Sequence, residues 1–173
     1  MSEFAVGMGC NLGDRIHNLQ EGVRFLLSRL KMGTFKLSGV YETQPLEDVD
    51  GDDFYNCVIS GNYFGSAEEL HRDCREAEIY LGSTSKKNGA ARALDMDLLL
   101  FKDTVMEEEN LTLPHPRLHL RKFVLVPLAE VWDGILPKLG STPEQLIDVC
   151  PDKSRIKRIF EMPERGCFWE VSS

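Results

Sequence analysis

The chain has 173 residues, 42% of them hydrophobic and 28% charged, with a formal net charge of −8. That length suits one domain, spanning 1–173, around one sizeable core. The acidity argues against nucleic acid or anionic membrane as partners, and any anion such as ATP would need a local basic patch or metal ions.

The five cysteines contain no CxxC spacing, which argues against a disulfide framework or a zinc site and for a reducing cytoplasm. Met1 to Phe4 lacks the basic start and apolar run of a signal peptide. No apolar stretch approaches the ~20 residues that cross a bilayer.

In chain order, Phe4 to Met8 reads as a buried strand and Gly9 to Asp14 as a turn, with Asp14 a helix N-cap. Ile16, Leu19, Val23, Leu26, Leu27 and Leu30 recur at helical spacing, which predicts an amphipathic helix over Asp14 to Lys31, closed by Gly33. Phe35 to Tyr41 reads as a strand, Glu42 to Asp53 as an acidic loop, and Phe54 to Phe64 as a strand. A second helix spans Ser66 to Leu81, followed by a Ser-, Lys- and Gly-rich loop over Gly82 to Ala91. Ala93 to Phe101 is a strand, Leu118 to Val131 a helix after two prolines, and Thr142-Pro143-Glu144 opens a last short helix to Val149. Residues from about Pro151 to Ser173 form a C-terminal extension of uncertain role, with an edge strand expected near Phe168 and Trp169. This order predicts an α+β fold: a ferredoxin-like β-α-β-β-α-β core with an antiparallel sheet and additional C-terminal helices. The second sheet face is then free to build a site or to carry those helices.

The sharpest chemical signal lies in Arg92 to Phe101. Side chains alternate along a strand, so Asp95 and Asp97 share one face while Leu94, Met96 and Leu98 take the other. The carboxylates stand ~6.5–7 Å apart at Cα, a spacing that can serve two metal ions ~3.5–4 Å apart. Hard oxygen donors favour magnesium. A half-wet antiparallel strand would present the same pattern. A second signal is the cluster of Arg, Lys and His from Leu111 to Phe123, where Arg121 can fork onto phosphate oxygens; a solvated helix face is the alternative. A third is Tyr41 to Leu46 followed by Phe54-Tyr55-Asn56. Asn56 can read the edge of a planar heterocycle, and Phe54 and Phe123 can stack on it, although core and turn roles fit these residues equally. There is no GxxxxGK[ST], GxGxxG or HExxH motif.

Taken in order, these segments resemble the hydroxymethyl-dihydropterin pyrophosphokinases. The family turn Gly-Ser-Asn-Leu-Gly is matched by Gly9-Cys10-Asn11-Leu12-Gly13, and Tyr-x-Thr-x-Pro by Tyr41, Thr43 and Pro45. The aromatic-x-Asn is matched by Phe54 and Asn56, the Arg-x-Leu-Asp-x-Asp stretch by Arg92 to Phe101, and Leu-Thr-x-Pro-His with Arg-x-Phe by Leu111 to His115, Arg121 and Phe123. The match runs from about Phe4 to Leu128.

The resemblance implies pyrophosphoryl transfer from ATP to 6-hydroxymethyl-7,8-dihydropterin in folate biosynthesis, leaving AMP. It implies two magnesium ions held by Asp95 and Asp97, with Arg92 and Arg121 also catalytic. Thr112, His115 and Glu78 would belong to the ATP site. Thr43, Pro45, Leu46, Phe54, Asn56 and Phe123 would bind the pterin. The chain departs from the family where Gly-Arg-x-Arg and an aromatic often follow the second helix: here Gly82 precedes Ser83-Thr84-Ser85-Lys86-Lys87. Lys86 and Lys87 are the candidate replacements, as point charges without a guanidinium fork. Cys10 stands for a serine and Gln44 for a proline. A non-catalytic pterin- or nucleotide-binding relative is the rival reading. The oligomeric state is not legible in the residues.

Overall fold

The computed structural model describes residues 2–29, 34–44, 52–82 and 92–162. The elements run β1 (Ser2–Cys10), α1 (Arg15–Arg29), β2 (Phe35–Leu37), β3 (Val40–Thr43), β4 (Phe54–Tyr63), α2 (Ala67–Tyr80) and β5 (Asp95–Phe101), then β6 (Met106–Glu107) and β7 (Thr112–Leu113). A 3₁₀ turn (Leu118–Leu120) leads into α3 (Lys122–Val131), α4 (Pro143–Val149) and β8 (Ile156–Phe160). The main sheet has the order β5-β1-β4-β3-β8, with β2 also paired to β4, and every pairing is antiparallel. Taking β2 and β3 as one interrupted strand, this is the ferredoxin-like arrangement expected of the chain, extended at one edge by β8.

The sheet is covered on both faces. α1 and α2 bury Leu19, Val23, Leu26, Leu70 and Ala77 against Val6, Met8, Met96 and Leu98 on one face. On the other, α3 and α4 bury Leu125, Leu128 and Trp132 against Ala5, Val58, Leu99 and Leu100. Opposed burial of the two strand faces is why β1, β4 and β5 read as near-continuous apolar runs rather than alternating ones. α2 starts at a capping box, in which the Ser66 hydroxyl accepts from the Glu69 N–H while the Glu69 carboxylate accepts from the Ser66 N–H. Thr142 and Gln145 repeat the device at α4, with Pro143 in the first turn.

Several boundaries differ from the sequence reading, and the helix expected from Leu118 begins only at Lys122, after a 3₁₀ turn and an extended Arg121. β1 runs on through Gly9 to Cys10, because pairing with both neighbours outweighs the turn signal of Gly9. The expected strand Phe35 to Tyr41 is broken at Ser38 and Gly39. β5 begins at Asp95 rather than Ala93. The C-terminal strand lies at Ile156–Phe160, against β3; Phe168 and Trp169, and Gly33 at the expected end of the first helix, fall outside the described residues.

The break between β2 and β3 is bridged by a side chain. Ser38 N–H donates to Val58 C=O at 2.9 Å, and Ser38 Oγ accepts from the Val58 N–H at 2.8 Å. A buried amide that would lose its ladder partner is thereby satisfied. We expect Ser38→Ala to lower stability by about 1–3 kcal/mol, read as a shift in the urea midpoint; an unchanged midpoint would remove Ser38 from this role.

Candidate active site

The site is built on the stretch of sheet that α3 and α4 leave uncovered. β1 lies between β4 and β5, and its register sets Gly9 opposite both Asn56 and Asp95. Gly7 stands opposite Val58 and Asp97. Directly opposed residues share a face, so Asp95, Gly9, Asn56 and Tyr41 form one row across the sheet. The central strand contributes no side chains to that face at Gly7 or Gly9. A Cβ at Gly9 would lie 3.0 Å from Asn56 Oδ1, and one at Gly7 3.3 Å from Leu99 Cδ1. Glycine in a strand interior often marks such a close approach. The two glycines leave a trough between the acids of β5 and the polar groups of β4, and the alternation Gly-x-Gly within an apolar strand is the sequence signal for it.

On the β5 side, the Asp95 and Asp97 side chains are 30% and 31% exposed. Arg92 Nη1 donates to Asp95 Oδ1, while Arg75 Nη2 and His115 Nε2 each lie 3.9 Å from an Asp97 oxygen. Burial raises the Asp95 carboxyl above its ordinary value, the Asp97 charge adds to that, and Arg92 opposes it. Burial lowers the His115 imidazole, Asp97 opposes the shift, and the Arg121 and Arg117 charges reinforce it. The net direction favours the uncharged ring in the ligand-free chain. Arg121 precedes α3 and feels the fields of Asp97, Asp95 and Arg92; its guanidinium lies 5.5 Å from the centre of the Phe123 ring.

Local devices fix these groups. β5 carries a bulge where Ala5 opposes Leu100 and Val6 opposes Leu98, leaving Leu99 without a partner. The Leu99 carbonyl instead accepts the His115 N–H at 2.9 Å, so the bulge seats His115 beside the acids. Glu78 is buried on α2. Its carboxylate accepts from the Met96 N–H at 2.8 Å and from Arg75 Nη1 at 2.7 and 2.8 Å. It therefore reaches the site through the backbone between the two aspartates. Asn11, 1% exposed, accepts the Arg92 N–H at Oδ1 at 2.8 Å and donates its own N–H to the Arg92 carbonyl at 3.1 Å. A cavity of about 550 Å³, measured with its open mouth, adjoins the acids and is lined among others by His71, Arg75, Asp97, Thr112 and His115.

On the β4 side, Asn56 Nδ2 donates to Thr43 Oγ1 at 2.9 Å, and both side chains are buried. That bond fixes the amide with Oδ1 toward Gly9. Phe54 shares the face of Asn56, two residues along β4, and Phe123 lies on α3 over the same face. Among the described residues neither ring packs against another aromatic ring.

Thus Arg92, Asp95, Asp97, His115, Thr112 and Arg121 gather at one side of the trough, and Thr43, Asn56, Phe54 and Phe123 belong to the other. Pro45, Leu46, Lys86 and Lys87 fall outside the described residues. The sequence reading missed Arg75, whose place three residues before Glu78 on α2 gives no motif, and passed over Gly7 and Asn11 as scaffold.

The sheet is that of a ferredoxin-like fold, and the family match places the chain among transferases of the kinase class. The chain belongs to the 7,8-dihydro-6-hydroxymethylpterin-pyrophosphokinase (HPPK) family, whose sequence model matches residues 5–133. It is 35% identical to the 2-amino-4-hydroxy-6-hydroxymethyldihydropteridine pyrophosphokinase of Bacillus subtilis, over 87% of this chain and 92% of that protein. It is 34% identical to the bifunctional protein FolKE of Lactococcus lactis over 93% of this chain, but spans only 46% of that longer protein. Solved structures of HPPK-DHPS share the fold: one in complex with substrates gives a TM-score of 0.66 at 9% identity, covering 86% of this chain and 45% of its own. A Plasmodium falciparum HPPK-DHPS gives 0.65 at 13% identity, covering 85% and 43%.

The raised Asp95 carboxyl carries a sign for stability. The folded chain holds this proton to higher pH than the unfolded chain, so the ligand-free protein loses stability as pH rises from the ordinary aspartate value through the raised one. We expect Asp95→Asn to flatten that decline in melting temperature between pH 4 and 8. A slope equal to wild type would show that the Asp95 carboxyl is not raised in the folded chain.

Proposed function

We propose that this chain transfers the β,γ-diphosphoryl group of ATP to 6-hydroxymethyl-7,8-dihydropterin, forming AMP and the pterin diphosphate in folate biosynthesis. The observation that carries this reading is the single row Asp95–Gly9–Asn56, which sets a cation-binding acid and a buried heterocycle reader on opposite sides of a side-chain-free floor. The hydroxymethyl oxygen forms a bond to the β-phosphorus, the bond from that phosphorus to the α–β bridging oxygen breaks, AMP leaves with that oxygen, and the hydroxyl proton is released.

Each residue has a part in that reaction. Asn56 and Thr43 read the polar edge of the pterin, and Phe54 and Phe123 pack on its faces; Pro45 and Leu46 belong to the same subsite. Arg92 and Arg121 donate to phosphoryl oxygens as planar forks. His115 donates to a phosphoryl oxygen from one ring nitrogen. Thr112 lines the nucleotide cavity, Glu78 holds Arg75 and the β5 backbone in place, and Lys86 and Lys87 supply point charge. Asp95 and Asp97 fit a pair of magnesium ions. They are hard donors, they share a face, and burial together with the Asp97 charge holds Asp95 protonated to higher pH than usual. Among the described residues no three ligating side chains converge, so water and phosphate oxygens would complete the shell, as magnesium prefers. Bound there, the ions would offset charge on the transferring group. We place the protein in the cytoplasm, in keeping with the buried free thiols of Cys10, Cys57, Cys74 and Cys150. Among the described residues no helix is long and apolar enough to cross a membrane.

The test is AMP formation with pterin, ATP and Mg²⁺, each omitted in turn. We expect AMP only with all three, and a loss of about 10²–10³-fold or more in Asp97→Ala. Pterin or ATP binding without AMP would instead establish a non-catalytic relative. A second variant probes the floor. Gly9→Ala crowds Asn56 Oδ1 and should weaken pterin binding about tenfold, near 1.4 kcal/mol, with nucleotide binding kept. Unchanged pterin affinity by calorimetry would take the pterin off this face.

A further inference from the structure

We propose that Arg15 is a positioning residue for the heterocycle subsite, holding the start of β4 so that Phe54 and Asn56 present fixed groups to the pterin; the inference rests on the function proposed above. Arg15 opens α1. Its Nη1 donates to the Asp53 carbonyl at 2.7 Å, and its guanidinium carbon lies 3.9 Å from the centre of the Tyr55 ring. Asp53 and Tyr55 flank Phe54. Tyr55 stands opposite Cys10 in the register, whereas Asn56 stands opposite Gly9, so Tyr55 points to the face covered by α1 and α2 and Phe54 with Asn56 to the other. One side chain thus grips the residues on both sides of Phe54 from the far side of the sheet.

The grip needs a planar fork. An ammonium can donate to the carbonyl or lie over the ring, but it cannot present a donor in the plane and a face to the ring together. Arg15 is itself anchored, since Cys10 Sγ donates to its carbonyl at 3.2 Å. Helix stability does not account for the residue. A cation in the first turn opposes the helix dipole, and the helix start is already capped by Asp14 Oδ1, which accepts the His17 N–H at 3.1 Å. The side chain therefore serves β4 rather than α1.

Arg15 touches neither of the proposed substrates, so its effect should appear in pterin affinity and not in nucleotide affinity. The experiment measures pterin and ATP-analogue dissociation constants by calorimetry for wild type, Arg15→Met, Arg15→Lys, Phe54→Ala and the double variant Arg15→Met/Phe54→Ala, with melting temperatures alongside. We expect Arg15→Met to weaken pterin binding about tenfold, Arg15→Lys to recover part of the loss, and nucleotide affinity to stay within about twofold. In the Phe54→Ala background Arg15→Met should cost less than it does in the wild-type background, because one of its two routes to the ligand has been removed and only that through Asn56 remains. Amide hydrogen exchange at Phe54 to Asn56 in the ligand-free Arg15→Met chain should also quicken, a readout independent of any substrate. Equal losses for both ligands, full additivity with Phe54→Ala, or unchanged pterin affinity and exchange would overturn the proposal. Failure of the wild-type chain to bind pterin would overturn the functional reading itself, and the exchange measurement would still decide whether Arg15 holds β4.

Discussion

Everything in this site depends on the register of β1 between its two neighbours. A one-residue shift of β5 against β1 would turn Asp95 and Asp97 into the core beneath α1 and α2 and put Met96 in the trough. The register is held by burial on both faces: Val6 and Met8 must meet α1 and α2, while Ala5 must meet α3. Packing far from the chemistry therefore decides which atoms line the trough. The bulge at Leu99 changes the alternation only beyond the acids, so Leu99 and Leu100 both face α3 while the aspartates stay open.

The acids also carry an electrostatic burden in the ligand-free state. Two partly buried carboxylates on one strand repel, and the fold meets this with Arg92 on Asp95 and Arg75 and His115 near Asp97. These three partners come from separate segments, whereas the acids come from one. Each partner has its own support, through Asn11 for Arg92, Glu78 for Arg75 and the Leu99 carbonyl for His115. Such second contacts hold these side chains in place without occupying the side of them that a ligand would meet.

Much of this was legible in the residues because it rests on short-range rules. Alternation alone put Asp95 and Asp97 on one face, and ordered motifs gathered Arg92, His115, Asn56 and Phe123 into one reading. Helix starts at Ser66 and Thr142 followed from side-chain capping. What could not be read depended on pairing partners. Gly9 looked like a turn because nothing in a single strand says that both its edges are taken. Ser38 gave no sign that its hydroxyl would complete a broken ladder. Arg75 and Glu78 acquire meaning only once α2 lies beside β5, and β8 only once β3 offers its edge.

The two bonds that brace β5 have a further effect. β5 is the end strand of the sheet, and an end strand offers unpaired main-chain groups to any passing extended segment. Here the Met96 amide is taken by the Glu78 carboxylate and the Leu99 carbonyl by the His115 amide. A foreign strand could add along this border only by breaking both. The contacts that hold the acids and His115 in place thus also shield the sheet from edge-to-edge aggregation, so variants that loosen Glu78 risk insolubility as well as lost activity.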